Sequence, residues 1–168
     1  MASLVIERVD VGPDRIEAVV RVPDASPAKT SAAPGLAHRA LELLPGLARH
    51  TCENGSPHGI VAELADTETP HLLEHVAFEL MALSGSPRTL RGETAWDFSA
   101  DGRGVYRVRL AFDDDLVALG SLREALAVCE WLLDPAPADK PDVDAITSRL
   151  LAVRERCAGA PGRSEDSQ

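Results

Sequence analysis

Two stretches near the start of the chain, 2–11 and 14–22, alternate Val and Ile with charged residues. An alternation of apolar and polar positions has the period of a strand that buries one face. Two later stretches, 93–98 and 104–112, show the same alternation. Within each pair the stretches are separated by Gly, Pro or Asp residues, which favour turns. The pattern therefore predicts two β-hairpins.

Between the two predicted hairpins the apolar residues change to a helical spacing. Residues 36–50 follow this spacing, but Pro45 interrupts it, so we expect either a kinked helix or two short helices that abut. A short helix is predicted through 60–64. A longer helix is predicted to have Thr69 as its N-cap and to run to Leu83, after which Ser and Gly favour termination.

The last third of the chain predicts two more helices, one from 120–121 to about Leu133 and one at about 142–157. Strands and helices in this order predict an α+β fold. We expect a two-layer sandwich in which an antiparallel sheet of about four strands has helices packed on one face. The expected single domain covers 1–157, and the tail 158–168 is predicted to be disordered.

The acidic composition narrows the classes of partner. The chain has 17 basic and 27 acidic residues, which gives a net charge of −10. A general nucleic-acid binder has a basic surface, so we expect no nucleic-acid partner, whereas a cationic substrate or partner is compatible with this charge. The 3 cysteines include no C-x-x-C pair and suit a reducing cytoplasm. Because no signal peptide or membrane-spanning run is predicted, we expect a cytoplasmic location and no membrane association.

A candidate for chemistry lies in the helix predicted after Thr69. His71 and His75 are four residues apart, which places both imidazoles on one helix face, within reach of one metal ion. Glu74 lies beside His75 and could act as a general base that takes a proton from the attacking water. The spacing H-x-x-E-H is that of the inverted zinc peptidases and predicts a zinc site. Histidines beside a glutamate on a helix are also often only solvated or hydrogen-bonded.

A catalytic zinc site needs a third protein ligand in addition to His71 and His75. Glu93 is one candidate, because the strand that carries it follows the helix and could lie against it. Glu79 lies one turn beyond His75, so it is either a ligand or a group that orients an imidazole. The sequence leaves further carboxylates open as the third ligand: Asp115, Glu124 and Glu130.

Weaker candidates lie outside this helix. His50, Cys52 and His58 could form a second metal group, but their loop spacing is loose, and we expect Cys52 to pack beneath the loop. The acidic run 113–115 is interpreted as a solvated strand end, with cation binding as the alternative. The aromatic residues nearby are interpreted as core between sheet and helices, with stacking on guanidinium groups as the alternative: Trp96, Phe98 and Tyr106.

Several separated segments form an ordered set of motifs. They are L-P-G-L at 44–47, His50 with Cys52, H-L-L-E-H-V-A-F-E-L at 71–80, R-G-E-T at 91–94 and G-V-Y at 104–106. In this order they resemble the N-terminal domain of cyanophycin synthetases, over roughly residues 34–130. Separate blocks in the right order are much more specific than H-x-x-E-H by itself.

The resemblance implies a domain that holds a growing Arg/Asp polymer, and in some relatives a metallopeptidase-like domain that cuts this polymer into primers. On that basis we expect a zinc-dependent hydrolase of an Arg/Asp-containing peptide or polymer. His71, His75 and Glu93 would bind zinc, and Glu74 would act as the base. Glu93 is favoured as the third ligand because it belongs to the R-G-E-T block of the resemblance. The alternative is a non-catalytic module that binds an Arg-rich polymer or a partner synthetase. A homo-oligomer is compatible with either function.

The chain also departs from these synthetases. It lacks their ATP-grasp and Mur-ligase-like modules, and it contains no Gly-rich phosphate loop of the G-x-x-x-x-G-K-[ST] kind. We therefore do not expect it to act as a synthetase by itself. Gly92 replaces the arginine that is usual in the R-E-T motif, and Arg91 is the candidate to take over its ligand contacts.

Overall fold

The computed structural model describes residues 2–52, 59–136 and 139–159, with the backbone only for 157–159. The strands in this part of the chain are β1 Val5–Val11, β2 Arg15–Arg21, β3 Gly92–Ala95 and β4 Val105–Ala111. They form one antiparallel sheet in the order β1-β2-β4-β3. Both predicted hairpins are confirmed.

The strand β3 is shorter than the stretch predicted at 93–98. Asp97 Oδ1 accepts hydrogen bonds from the backbone N–H groups of Ser99 and Ala100, at 3.1 and 3.2 Å. Such a turn, closed by an aspartate side chain, bends the backbone away from the extended form. The strand therefore ends at Ala95.

The α-helices of the described residues are α1 Leu36–Leu43, α2 Gly59–Glu63, α3 Thr69–Leu83, α4 Asp115–Leu133 and α5 Val143–Gly159. A short 3-10 helix, Pro45–Arg49, follows α1. Leu44 between them has φ −130° and ψ 76°, so the helix stops before Pro45, which suits a helix start. Of the two predicted forms, the structure has two short helices that abut. Among the described residues, no helix has the length and apolar character that a membrane span requires.

The helix α3 is confirmed, but the predicted N-cap at Thr69 is wrong. The cap position belongs to Glu68, and Thr69 is the first helical residue. The Thr69 hydroxyl donates to the Pro27 carbonyl at 3.1 Å, so it joins the helix start to an earlier loop. At the other end, Gly85 has φ 91°, a left-handed conformation that is common just after a helix.

The helix α4 begins at Asp115, earlier than the start predicted at 120–121. Asp114 caps it, because its Oδ1 accepts a hydrogen bond from the Val117 N–H at 3.0 Å. The interpretation of the acidic run as only a solvated strand end is therefore wrong, since its central carboxylate starts a helix.

The helix α5 lies close to its predicted limits. Arg154 in this helix makes hydrogen bonds to two other segments. Its Nε donates to the Ser84 carbonyl at 2.8 Å, and its Nη1 donates to Asp113 Oδ2 at 2.8 Å. These bonds join α5 to the end of α3 and to the start of α4. The tail predicted to be disordered begins at 158, but 158 and 159 are the last residues of α5, and 160–168 lie outside the described residues.

The apolar face of the sheet packs on α3 and α4. Alternate residues of β2 and β4 are buried there: Ile16, Ala18, Val20, Val108 and Leu110. The opposite face carries ion pairs, in which Glu17 binds Arg107 and Arg109 at 3.0 and 2.6 Å. Burial of one sheet face beneath helices gives two layers. The predicted α+β fold, with helices on one face of a four-stranded antiparallel sheet, is confirmed.

The three aromatic residues near the second hairpin have different surroundings. Tyr106 is buried at 4% exposure, whereas Trp96 and Phe98 are 48% and 40% exposed. The ring centroids of Trp96 and Phe98 lie 5.6 and 5.5 Å from that of Tyr106. The interpretation as core is right for Tyr106 and wrong for the other two residues.

Candidate metal centre

The helix α3 places the H-x-x-E-H residues in a buried setting. Pro70 lies in its first turn, where the missing backbone N–H has no cost. The helix packs against β3, β4 and α4, so Glu74, His75 and Glu79 are only 5%, 5% and 1% exposed. Buried polar groups need partners within the protein, and their arrangement is therefore well defined.

Three donor atoms converge near the start of α3. The Nε2 atoms of His71 and His75 lie 3.1 Å apart. Cys52 Sγ lies 3.3 Å from His75 Nε2 and 3.8 Å from His71 Nε2. Cys52 reaches this point because the 3-10 helix that precedes it packs against α3. These three residues, called the metal centre below, can hold a metal ion.

Both imidazoles of the metal centre are neutral near pH 7. Burial, followed by the charges of His71 and His50, lowers the pKa of His75 to about 3. Burial also lowers the pKa of His71, against the opposing effect of Glu63 and Glu68. A neutral imidazole has one lone pair, which is what a metal ion requires.

Cys52 is a thiol when no cation is nearby. Burial raises the pKa of Cys52 to about 12, and the charge and hydrogen bond of Glu63 contribute to the increase. A thiol with this pKa is a poor nucleophile by itself. A bound divalent cation favours the thiolate form of Cys52 instead, because a thiol that coordinates a metal loses its proton.

The surroundings of the metal centre fit a cation. One sulfur and two imidazole nitrogens are ligand types of transition-metal sites. Within the described residues, Glu63 Oε1 is buried without a hydrogen-bond partner. Its other oxygen, Oε2, lies 3.7 Å from His71 Nδ1. The negative charge of this carboxylate beside the donors favours a positive ion.

In each imidazole of the metal centre, the second ring nitrogen, Nδ1, also has a partner. His71 Nδ1 lies 2.8 Å from Thr67 Oγ1, and His75 Nδ1 lies 3.1 Å from His50 Nδ1. Both rings thus direct Nε2 towards the metal centre and Nδ1 towards a fixed partner. This arrangement is typical of histidines that bind metal, whose second nitrogen is oriented by a hydrogen bond.

Glu74 lines the same cleft as the metal centre. Burial raises the pKa of Glu74 to about 7, although the hydrogen bond from Thr94 Oγ1 to its Oε2, at 2.6 Å, acts to lower it. Gly92 makes room for the carboxylate, because a Cβ there would lie 2.8 Å from Glu74 Oε1 and 2.5 Å from the Phe78 ring. A carboxyl group with a near-neutral pKa can both take and return a proton.

Glu93 is not part of this metal centre. It lies opposite Arg109 in the sheet, and Arg109 Nη1 donates to Glu93 Oε2 at 2.6 Å. Its side chain is 59% exposed. The role of Glu93 as the third ligand stays a prediction, while the group of converging donors contains Cys52.

The other carboxylates that the sequence left open have contacts elsewhere or lie at a helix start. They are Glu79 (with His50 and Arg88), Glu124 (with Arg149), Glu130 (with the Ser3 backbone) and Asp115 (in the first turn of α4). Of these, Glu79 lies nearest the metal centre, because its partner His50 contacts His75 Nδ1.

The sequence named Cys52 as a candidate donor but did not group it with His71 and His75. The sequence grouped Cys52 with His50 and His58, of which His58 lies outside the described residues. The available signal was the short spacing from His50 to Cys52, together with their place in the ordered set of motifs. The separation of 19 residues between Cys52 and His71 carries no geometric information without the fold.

The metal centre opens into a cleft of about 570 Å³, a size usual for small-ligand sites. Charged and aromatic side chains line it besides the residues described above: Arg49, Glu68, Arg88, Arg91 and Trp96. The same cleft therefore contains the metal-type donors, the carboxyl group of raised pKa and the charged lining.

Comparison with known families gives one match. The model of the family described as cyanophycin synthase-like N-terminal domain matches residues 17–134. This span contains the metal centre together with Glu74 and Glu93. No curated protein matches the chain significantly.

Proposed function

This chain belongs to the cyanophycin synthase-like N-terminal domain family, and on that premise we propose that it is a zinc-dependent hydrolase of amide bonds in an Arg/Asp-containing peptide or polymer. The observation that carries the proposal is the convergence of Cys52, His71 and His75 in the cleft that Glu74 also lines. Metal-type donors and a carboxyl group of raised pKa in one cleft are the parts that metal-assisted hydrolysis requires.

Zinc is the ion that this donor set favours. Cys52, His71 and His75 supply three protein ligands, the number common in catalytic zinc sites, which keep a fourth position for water or substrate. Cys52 thus takes the position that we expected for Glu93. When bound, zinc supplies Lewis acidity, which polarises an amide carbonyl and makes water a stronger acid near pH 7.

Glu74 is the general base of the proposed reaction. It takes one proton from the attacking water while the water oxygen bonds to the amide carbon. It then gives this proton to the amide nitrogen as the C–N bond breaks, which yields a carboxylic acid and an amine; the acid then loses its remaining proton to the amine or to solvent. Its pKa of about 7 suits both transfers, and the Thr94 hydroxyl holds its Oε2 in place at 2.6 Å.

The charges of the cleft support a substrate that carries both signs. Arg49 lines it and attracts carboxylates, as guanidinium groups commonly do, whereas Arg88 is already paired with Glu79. Glu68 lies in the same cleft and attracts cations. Trp96 is 48% exposed, and its ring face suits a guanidinium group. Peptides of Arg and Asp carry both kinds of charge.

A non-catalytic binding module is the alternative function. The same Glu68 and Trp96 would hold guanidinium groups of an Arg-rich polymer or of a partner synthetase without hydrolysis. The net charge of −10 favours such a cationic partner over long range. The hydrolase requires Glu74 for turnover, whereas the binding module has no turnover and does not require Glu74.

The test measures zinc per chain after purification without added metal, together with hydrolysis of synthetic Arg/Asp peptides. We expect one zinc ion per chain in the wild type and in the Glu74→Gln variant. We expect hydrolysis to fall by about 10²–10⁴-fold in that variant, because a general base contributes this much.

Glu42→Gln is the matched control, because Glu42 is 59% exposed and lies outside the metal centre. It should keep both zinc and hydrolysis. Absence of zinc and of hydrolysis in the wild type would rule out the hydrolase. Peptide binding without hydrolysis would favour the binding module.

A further inference from the structure

Glu79 is a buried carboxylate whose charge is fixed by its neighbours. Arg88 Nη1 donates to Glu79 Oε2 at 2.6 Å, and Arg88 Nη2 donates to Oε1 at 3.0 Å. Burial alone would raise the pKa of Glu79, but the hydrogen bonds from His50 and Arg88 hold it at about 2. An ionised carboxylate accepts hydrogen bonds and donates none. Glu79 is therefore an obligatory acceptor for every group that touches it.

The backbone near His50 is in direct contact with this carboxylate. A Cβ at Gly46 would overlap Glu79 Oε1, so the missing side chain of Gly46 is what allows the approach. Gly46 belongs to the 3-10 helix that ends just before His50. The same close packing places His50 Nε2 at 2.8 Å from Glu79 Oε2.

The acceptor Glu79 determines which nitrogen of His50 carries the proton. His50 Nε2 must donate to the carboxylate, so in the neutral ring the lone pair is on Nδ1. His50 Nδ1 lies 3.1 Å from His75 Nδ1. Because two lone pairs do not bond, His75 must carry its own proton on Nδ1 and donate it to His50.

With its proton on Nδ1, the neutral ring of His75 has its lone pair on Nε2. That atom lies 3.1 Å from His71 Nε2 and 3.3 Å from Cys52 Sγ. In the opposite tautomer an N–H would point at the same atoms and would block a cation. The direction of two hydrogen bonds thus determines whether His75 can act as a ligand.

We propose that Glu79 and His50 are positioning residues, which select the tautomer in which His75 binds the metal. Neither residue touches the ion in this arrangement. The effect on metal affinity rests on the proposed metal site, but the tautomer itself is a property of the protein without metal. Loss of such an orienting partner typically lowers metal affinity by about 10–100-fold.

The Glu79→Leu variant removes the acceptor with little change in size. Leucine offers His50 Nε2 no acceptor, so the tautomer of His50 is no longer determined and His75 is no longer held with its proton on Nδ1. We expect His75 to populate both tautomers and the zinc affinity to fall by about 10–100-fold.

Two measurements test this expectation. Zinc affinity is measured by competition with a chromogenic chelator, for the wild type, Glu79→Leu and the matched control Glu42→Leu. The tautomer of His75 is read in the metal-free proteins from the ¹⁵N shifts of its ring nitrogens. We expect a protonated Nδ1 in the wild type and in the control, and a mixture of the two tautomers in Glu79→Leu.

A wild-type His75 that is protonated on Nε2 would overturn the proposal, and this result does not depend on whether any variant folds. An unchanged zinc affinity in a folded Glu79→Leu protein, or a His75 that stays protonated on Nδ1 alone there, would also overturn it. If the wild type binds no zinc, the proposed hydrolase fails. In that case a protonated Nδ1 in the wild type that gives way to a mixture of tautomers in Glu79→Leu still supports the positioning roles.

Discussion

The Thr94 hydroxyl donates a 2.6 Å hydrogen bond to Glu74 Oε2, which joins the strand β3 to the proposed base on α3. Burial disfavours the charge of Glu74 and raises its pKa to about 7. The bond from Thr94 stabilises the ionised form and so keeps the pKa below the value that burial alone would give. Thr94 therefore adjusts the proton affinity of the group to which we assign the proton transfer.

Replacement of Thr94 by Val should raise the pKa of Glu74 further. Valine keeps the shape of threonine but removes the donor, so the ionised carboxylate loses stabilisation. The pKa is measured by ¹³C NMR titration of the Glu74 carboxyl carbon in the metal-free protein. Thr89→Val, at an exposed position, is the control and should leave this pKa unchanged. A lower pKa in Thr94→Val would contradict the role of the bond.

Glu74→Gln should stabilise the metal-free protein at high pH. The pKa of Glu74 is about 7 when folded, against 4.5 for an unperturbed glutamate, so the folded state binds the proton more tightly. Stability of the wild type therefore falls as the pH rises from 4.5 through 7. Glutamine removes this loss, and we expect a gain of about 2–3 kcal/mol at pH 8 relative to pH 4.

The measurement is urea unfolding of both proteins at each pH in the presence of a chelator. Glu42→Gln is again the control, and its difference from the wild type should not rise in this pH range. A constant difference between Glu74→Gln and the wild type would show that Glu74 has no raised pKa.

Gly46→Ala should destabilise the protein, because the new methyl group overlaps the Glu79 carboxylate. Overpacking of a closely packed site costs about 1–3 kcal/mol. The double variant Gly46→Ala, Glu79→Ala removes the overlapping group. In urea unfolding it should therefore lose less stability than the sum of the two single variants. Strict additivity would mean that the methyl group is accommodated elsewhere.

Cys52→Ser should lower zinc affinity by about 10-fold or more, because sulfur is a softer and better zinc ligand than a hydroxyl oxygen. Affinity is measured by chelator competition. Cys129→Ala is the control, since Cys129 is fully buried in the core and should affect stability only. If Cys52→Ser keeps its zinc while Glu93→Gln loses it, Glu93 is the third ligand after all.

Local sequence patterns were sufficient to predict most helices and strands and part of the site. The hairpins and α3 follow from periods of two and 3.6 residues, which depend on neighbouring positions alone. His71, Glu74 and His75 share one side of α3 for the same reason. The helix starts were predicted less well, because Asp114 and Glu68 occupy cap positions that the apolar spacing does not reveal.

The remaining parts of the site depend on contacts between distant segments. Glu93 and Thr94 are neighbours in β3, but side chains of a strand alternate between its faces. The register that pairs Glu93 with Arg109 leaves Thr94 to reach Glu74, and this register comes from pairing with β4. No pattern within the strand indicates which of the two residues turns towards the helix.

Cys52 and His50 illustrate the same limit. They belong to a segment that has no regular period, and they meet α3 because the 3-10 helix packs on it beside Glu79. Apolar burial drives such packing without encoding a distance in the sequence. Residue types and helical spacing therefore predicted two histidine ligands and a base, whereas the third converging donor and the proposed tautomer of His75 depend on the way separate elements pack together.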